Sequence, residues 1–157
     1  MTRLLAYVAL AALLLAACSS EHAVWSEAHN FHGNRWDISE SVIFAPDSGY
    51  FTTEHPAEGI LSLRYGRGCP YRTLPMVLEM ESVDEGSYRV DTISLSLLPG
   101  SMRNGDKATL GVFETADTVR LSPPPSDGWT LTVRPCIDTV AITDVYSLTL
   151  QIFPRKD

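Results

Sequence analysis

Two patterns divide this chain. Leu4 to Ala17 is an uncharged apolar run, "LLAYVALAALLLAA", whereas from about Trp36 onward apolar and polar positions alternate in short bursts. Ile93, Leu95 and Leu97 alternate with Ser94 and Ser96, and Trp129, Leu131 and Val133 with Thr130, Thr132 and Arg134. Tyr146, Leu148, Leu150 and Ile152 do the same with Ser147, Thr149 and Gln151. Successive side chains of a strand point to opposite faces, so a period of two with one polar face reads as antiparallel strands over a single core. The pattern predicts strands over Ser41–Ala45, Gly59–Tyr65, Met76–Ser82, Tyr88–Leu97, Ala108–Glu114, Thr118–Leu121, Trp129–Arg134 and Val145–Phe153. Turn-forming stretches separate them: "PDSG", "YGRGCP", "DEG", "LPGSMRNGD" and "SPPPSDG". Beyond the apolar run, no stretch of helical length keeps a helical period. The expected fold is therefore all-β: an antiparallel β-sandwich of immunoglobulin-like or jelly-roll topology, between which periodicity does not choose.

The apolar run has its own meaning. One charge, Arg3, precedes it and small residues end it, the layout of an export signal. At 14 residues it is short for a membrane span, which needs about 18 or more. Leu15-Ala16-Ala17-Cys18 resembles a bacterial lipobox, in which the cysteine is lipidated and the chain is cut before it. Cys18 is expected to be the anchor, because several acyl chains together hold a protein firmly to a bilayer. The expected organisation is a lipoprotein signal over residues 1–17, an anchor and tether with a first strand near Trp25 over 18–34, and a β-sandwich domain over 35–157.

Without the leader, eleven basic residues face nineteen acidic ones, a net charge of −8. That balance argues against a nucleic-acid partner and against attraction to an anionic bilayer. Two cysteines remain, Cys69 and Cys136, and export to an oxidising compartment permits a disulfide between them. Such a bridge would close a loop of about 67 residues and stabilise by on the order of 4 kcal/mol.

Candidate chemistry is sparse. His22, His29, His32 and His55 lack the spacing and companion ligands of a metal site, and no metal or cofactor is expected. Glu79, Glu81, Asp84 and Glu85 cluster near one strand end, with Glu79 and Glu81 on one face. They read as a solvated edge that discourages strand-to-strand aggregation, with a glycosidase-like acid pair as the sharper alternative. Arg67 and Arg72 flank Cys69 and could lower its thiol pKa. "DTISL", "DTVRL" and "DTVAI" begin at Asp91, Asp117 and Asp138 and read as Asp-capped turns opening into strands. Tyr65 and Trp129 fall in phase with core positions, while Tyr50, Phe51 and Tyr71 stand in loops, open to a sugar or a protein partner. No nucleophile-elbow, P-loop or dinucleotide motif occurs, and no catalytic residue is assigned.

"SLRYGRGCPYRTLPMVLEM" (Ser62 to Met80), "DTISLSLL" and "GWTLTVRPCIDTVAITDVYSLTLQI" (Gly128 to Ile152) resemble segments of the gliding-motility lipoprotein family GldH of the Bacteroidetes. With the lipobox and "NRWDISESVIF", the likeness covers most of the mature chain. The resemblance implies an outer-membrane lipoprotein, a noncatalytic accessory with protein partners in the envelope. The alternative is a carbohydrate-binding surface lipoprotein. "SSEH" after the anchor carries one early acid, which favours the periplasmic face over the cell surface.

Overall fold

The computed structural model describes residues 23–46, 57–82, 86–97, 107–109, 111–121 and 128–154. Eleven strands form: β1 (Trp25–Asn30), β2 (Arg35–Asp37), β3 (Val42–Phe44), β4 (Ala57–Gly66), β5 (Thr73–Ser82), β6 (Ser87–Ser96), β7 (Lys107–Thr109), β8 (Val112–Arg120), β9 (Trp129–Pro135), β10 (Ala141–Thr143) and β11 (Val145–Pro154). A single 3₁₀ turn, His32–Asn34, joins β1 to β2. One sheet has the order β1-β11-β4-β8-β7, a second β3-β9-β5-β6, and a small ribbon pairs β10 with β2. All pairings are antiparallel. The molecule is the expected all-β sandwich.

Alternation in the sequence becomes inside and outside in the fold. Leu74, Met76, Leu78 and Met80 of β5 and Trp129, Leu131 and Val133 of β9 turn inward from one sheet. Leu61, Leu63 and Tyr65 of β4 and Leu148, Leu150 and Ile152 of β11 meet them from the other. Each such aliphatic side chain contributes about 1.5–3 kcal/mol when removed from water. The flank is closed by aromatics. Trp25 of β1 meets Phe44 of β3 edge-on at 6.4 Å, and Phe31 stacks on Trp36 at 4.7 Å. The Trp36 indole N–H donates to the Glu40 carbonyl at 3.0 Å, so the fully buried ring keeps its polar atom satisfied.

Three differences from the sequence expectation are informative. The first strand expected near Trp25 forms over Trp25–Asn30 and pairs along its length with β11, from Trp25 opposite Ile152 to Asn30 opposite Ser147. The sandwich thus begins before residue 35. The two short strands expected around Ala108–Glu114 and Thr118–Leu121 divide elsewhere: β8 runs unbroken through the polar stretch Glu114–Thr118, and Lys107–Thr109 is a separate short strand beside it. The β4 ladder, with Leu63 opposite Thr115 and Ile60 opposite Thr118, supplies the backbone partners that β8's polar run does not advertise. Asp91 and Asp117 lie inside β6 and β8 instead of at strand starts, each accepting the N–H of the following threonine at 2.8 Å.

The connections β4 to β5, β6 to β7, β8 to β9 and β3 to β4 each pass from one sheet to the other. The end of β4, the start of β5, the end of β6 and the β10–β11 turn gather at one end of the sandwich. The start of β1, the start of β4 and the β8–β9 crossing gather at the opposite end.

Candidate functional site

The β4–β5 crossing, "GRGCPYR", walls a cleft of about 420 Å³ lined among others by Tyr65, Arg67, Cys69, Tyr71, Arg72 and Leu97. The crossing is held at both ends. The Leu97 N–H donates to the Arg72 carbonyl at 2.8 Å, tying the exit to the end of β6. At the start, Asp144, the residue between β10 and β11, sits in the left-handed region at φ 59° and turns both its backbone and its side chain to the crossing. Its carbonyl accepts from the Gly66 N–H at 2.8 Å, and its Oδ2 accepts from the Gly68 N–H at 2.5 Å. The Tyr146 hydroxyl donates to Oδ1 at 2.7 Å.

This clamp explains the glycine spacing. A Cβ on Gly68 would meet Asp144 Oδ2 at 2.8 Å, and one on Gly66 would meet the carboxylate closer still. Only backbone fits there. The acceptor role of Asp144 raises the Tyr146 hydroxyl above the ordinary tyrosine range, because the bond to the carboxylate favours the protonated form.

Cys69 is half-buried in this cleft, and Cys136 is exposed at the end of β9, its N–H donating to the Pro75 carbonyl at 2.8 Å. The expected bridge is absent from the structure: both are free thiols. Cys69 packs against the core within the crossing that leaves the β4 sheet, while Cys136 lies on the outward side of the β5–β9 ladder. The expected activation of Cys69 is corrected as well. Burial pushes its thiol up, the Tyr71 backbone N–H works against that, and the Asp144 charge raises it further. The flanking arginines do not lower it.

The other candidates disperse. His29 reaches Glu40 at 3.4 Å and lies edge-on to Phe31, and His32 is exposed in the 3₁₀ turn. No group of three metal-ligating side chains occurs among the described residues. Glu79 pairs with Arg134 of the neighbouring strand, and Glu81 is exposed on the same outer face. Tyr65 and Trp129 are core residues at 4% and 1% exposure, as their phase predicts. Cys18, His22, Tyr50, Phe51, His55, Asp84 and Glu85 lie outside the described residues.

A second surface is the outer face of the β3-β9-β5-β6 sheet. Register places Tyr88 opposite Glu81, Val90 opposite Glu79, and Ile43 opposite Thr132. Tyr88, Ile43 and Val90 are 62%, 59% and 50% exposed, with threonines and the Arg134–Glu79 pair between them.

Sequence reasoning missed Asp144, Tyr146 and the role of the two glycines. The only local signals are "GRG" and a lone Asp between two strand patterns, and neither points to the other across 76 residues. No family model matches the chain, and no curated protein matches it either.

Proposed function

We propose that this is a lipid-anchored protein of the bacterial outer membrane, held through Cys18 on the periplasmic face. Its sandwich serves as a noncatalytic accessory module among envelope proteins, as the resemblance to the GldH gliding-motility lipoproteins implies. The observation that carries the reading is the short distance between lipobox and fold. Six residues separate Cys18 from Trp25, where β1 begins. Even fully extended, that segment reaches only about 25 Å. An anchor so near the domain holds the β1-start end of the sandwich toward the bilayer and leaves the β4–β5 crossing pointing away.

The outer sheet face supports a protein partner over a sugar. Tyr88 stands on it beside Val90 and across from polar residues, where sugar stacking would call for a row of exposed rings. Exposed aliphatic and aromatic side chains around a charged pair suit the core and rim of a protein interface.

The test is mass spectrometry of the mature N-terminus together with fractionation. The expected N-terminal residue is Cys18 bearing acyl chains, in a protein that sediments with outer membranes. Cys18→Ala should abolish fatty-acid incorporation. A mature chain starting elsewhere, or starting with an unmodified Cys18, overturns the anchor. Photocrosslinkers placed at Ile43 and Tyr88 should then capture one recurrent envelope protein, and equal labelling from exposed positions on the opposite sheet would overturn the interface.

A further inference from the structure

The described residues include seven arginines, of which three form an ion pair and two more stand opposite an acid in the strand register. Arg35 lies 3.9 Å from Asp37, Arg89 lies 3.2 Å from Asp91, and Arg134 pairs with Glu79. Arg64 and Arg120 stand opposite Glu114 and Glu58 in the β4–β8 register. Arg67 and Arg72 have neither kind of partner among the described residues, and both line the same cleft.

In a chain with a seven-charge excess of acid, two guanidiniums without an acid partner among the described residues line one cleft. Asp144 already accepts from Gly68 on one oxygen and from Tyr146 on the other.

We propose that this cleft binds a small anionic ligand: a carboxylate or phosphate group carried on an apolar or aromatic body. The guanidinium groups of Arg67 and Arg72 supply paired donors in a planar fork that fits either acidic group. Half-buried Tyr71, with Pro70 and Leu97, forms the apolar wall for the body. Size agrees, since about 420 Å³ lies within the range of ligand pockets, about 300–1,000 Å³. The walls are preformed, because the backbone is pinned at Gly66, Gly68 and Leu97. Binding therefore orders two arginine side chains and little else, which keeps its entropic cost low. The site itself stands without the membrane anchor. Only its direction, away from the anchoring bilayer, rests on the proposed lipidation.

The experiment is an amide-shift titration of the full mature chain bearing Cys18→Ala. The probes are 4-phenylbutyrate and phenylphosphate, with 4-phenylbutanol as the uncharged control. Both acids should give saturable shifts at Gly66, Gly68, Cys69 and Leu97, with dissociation constants on the order of 1 mM for ligands of this size. The alcohol should give none, and added salt should weaken the acids. Arg67→Gln and Arg72→Gln should each weaken binding about tenfold, the scale of one lost charge-assisted hydrogen bond. If either glutamine variant loses its folded spectrum, Arg67→Lys and Arg72→Lys replace it, keeping the charge but losing the fork, with a smaller loss expected. Shifts that fail to saturate, equal binding of the alcohol, or undiminished binding by the double glutamine variant would overturn the site. Response to an acidic peptide but to neither small acid would overturn the ligand class. None of these outcomes touches the N-terminal mass, so failure here is distinct from failure of the anchor.

Discussion

At the scale of single residues, Asp144 carries more of the local structure than any acid flagged by the sequence pattern. It holds a left-handed backbone position, orders the β4–β5 crossing and engages Tyr146. Asp144→Ala removes the acceptor of the Gly68 N–H and of the Tyr146 hydroxyl, and should cost about 1–3 kcal/mol, read from the urea midpoint. Gly66→Ala should destabilise as well, because its Cβ has no room beside the carboxylate. The same bond sets a pH dependence. With the Tyr146 pKa raised in the folded state, the associated stability is fully present below the ordinary tyrosine pKa of about 10 and is lost as pH rises through the folded value. In ultraviolet difference titration the Tyr146 step should come late, and Tyr146→Phe should remove that step and flatten the alkaline loss of stability. The thiols give a third readout. Under non-reducing conditions both should alkylate in the native protein, exposed Cys136 well before Cys69, whose thiol is half-buried and pushed up. Protection of both until reductant is added would restore the bridge.

At the scale of elements, β1 is the strand most easily mistaken for tether. Its burial pattern is weak, with Trp25 and His29 half-buried and the other four residues exposed. What makes it a strand is its neighbour: the β11 edge offers it a full ladder, and Val24 adds a bond to the Ile152 carbonyl at 2.8 Å. Phe31, just beyond it, is 6% exposed and stacked on Trp36. A chain beginning at Arg35 loses this ladder, the Phe31 stack and the Trp25–Phe44 contact, and leaves β11 as an open edge. It should be several kcal/mol less stable and prone to associate, whereas a chain beginning at Ala23 should melt like the mature protein. Calorimetry and light scattering of the two chains decide it. At one edge of the second sheet, β6 is defended differently: Arg89 and Asp91 are paired at 3.2 Å on its inward side, a charged pair where a fully apolar edge would invite another strand.

At the scale of the whole molecule, the fold is closed by pairings between distant parts of the chain, with β1 on β11 and four crossings between the two large sheets among the described strands. Loops of this length must close before their contacts form, so refolding should take on the order of milliseconds to seconds. Stopped-flow tryptophan fluorescence should follow it, since Trp36 and Trp129 become fully buried. A faster, microsecond refolding would indicate a nucleus with much more local structure. The distribution of features is also global. The β1-start end and the arginine-lined cleft lie at opposite ends of the sandwich. The exposed Tyr88–Val90 face runs along the side between them.

The alternation of Leu95 with Ser96, or of Leu131 with Thr132, was enough to specify strands, their inward faces and the sandwich class, because a period of two has one geometric meaning. The burial of Tyr65 and Trp129 followed from the same phase. β1 was legible only as a first strand near Trp25, and β2 and β10 were not legible in that way. Each is only three to six residues long, and a short strand is held by the edge it docks on, not by its own pattern. Pairing of Asp144 with the Gly66–Gly68 turn was likewise hidden, since hydrogen bonds across so many residues leave no periodic trace. The fate of Cys69 and Cys136 also lay beyond sequence. An oxidising compartment permits a bridge, but only the paths of the β4–β5 crossing and of β9 decide whether two sulfurs meet. Pattern determines which face of a strand is buried; the order of strands in space determines which side chains share an end, and therefore where Arg67 and Arg72 come to line one cleft.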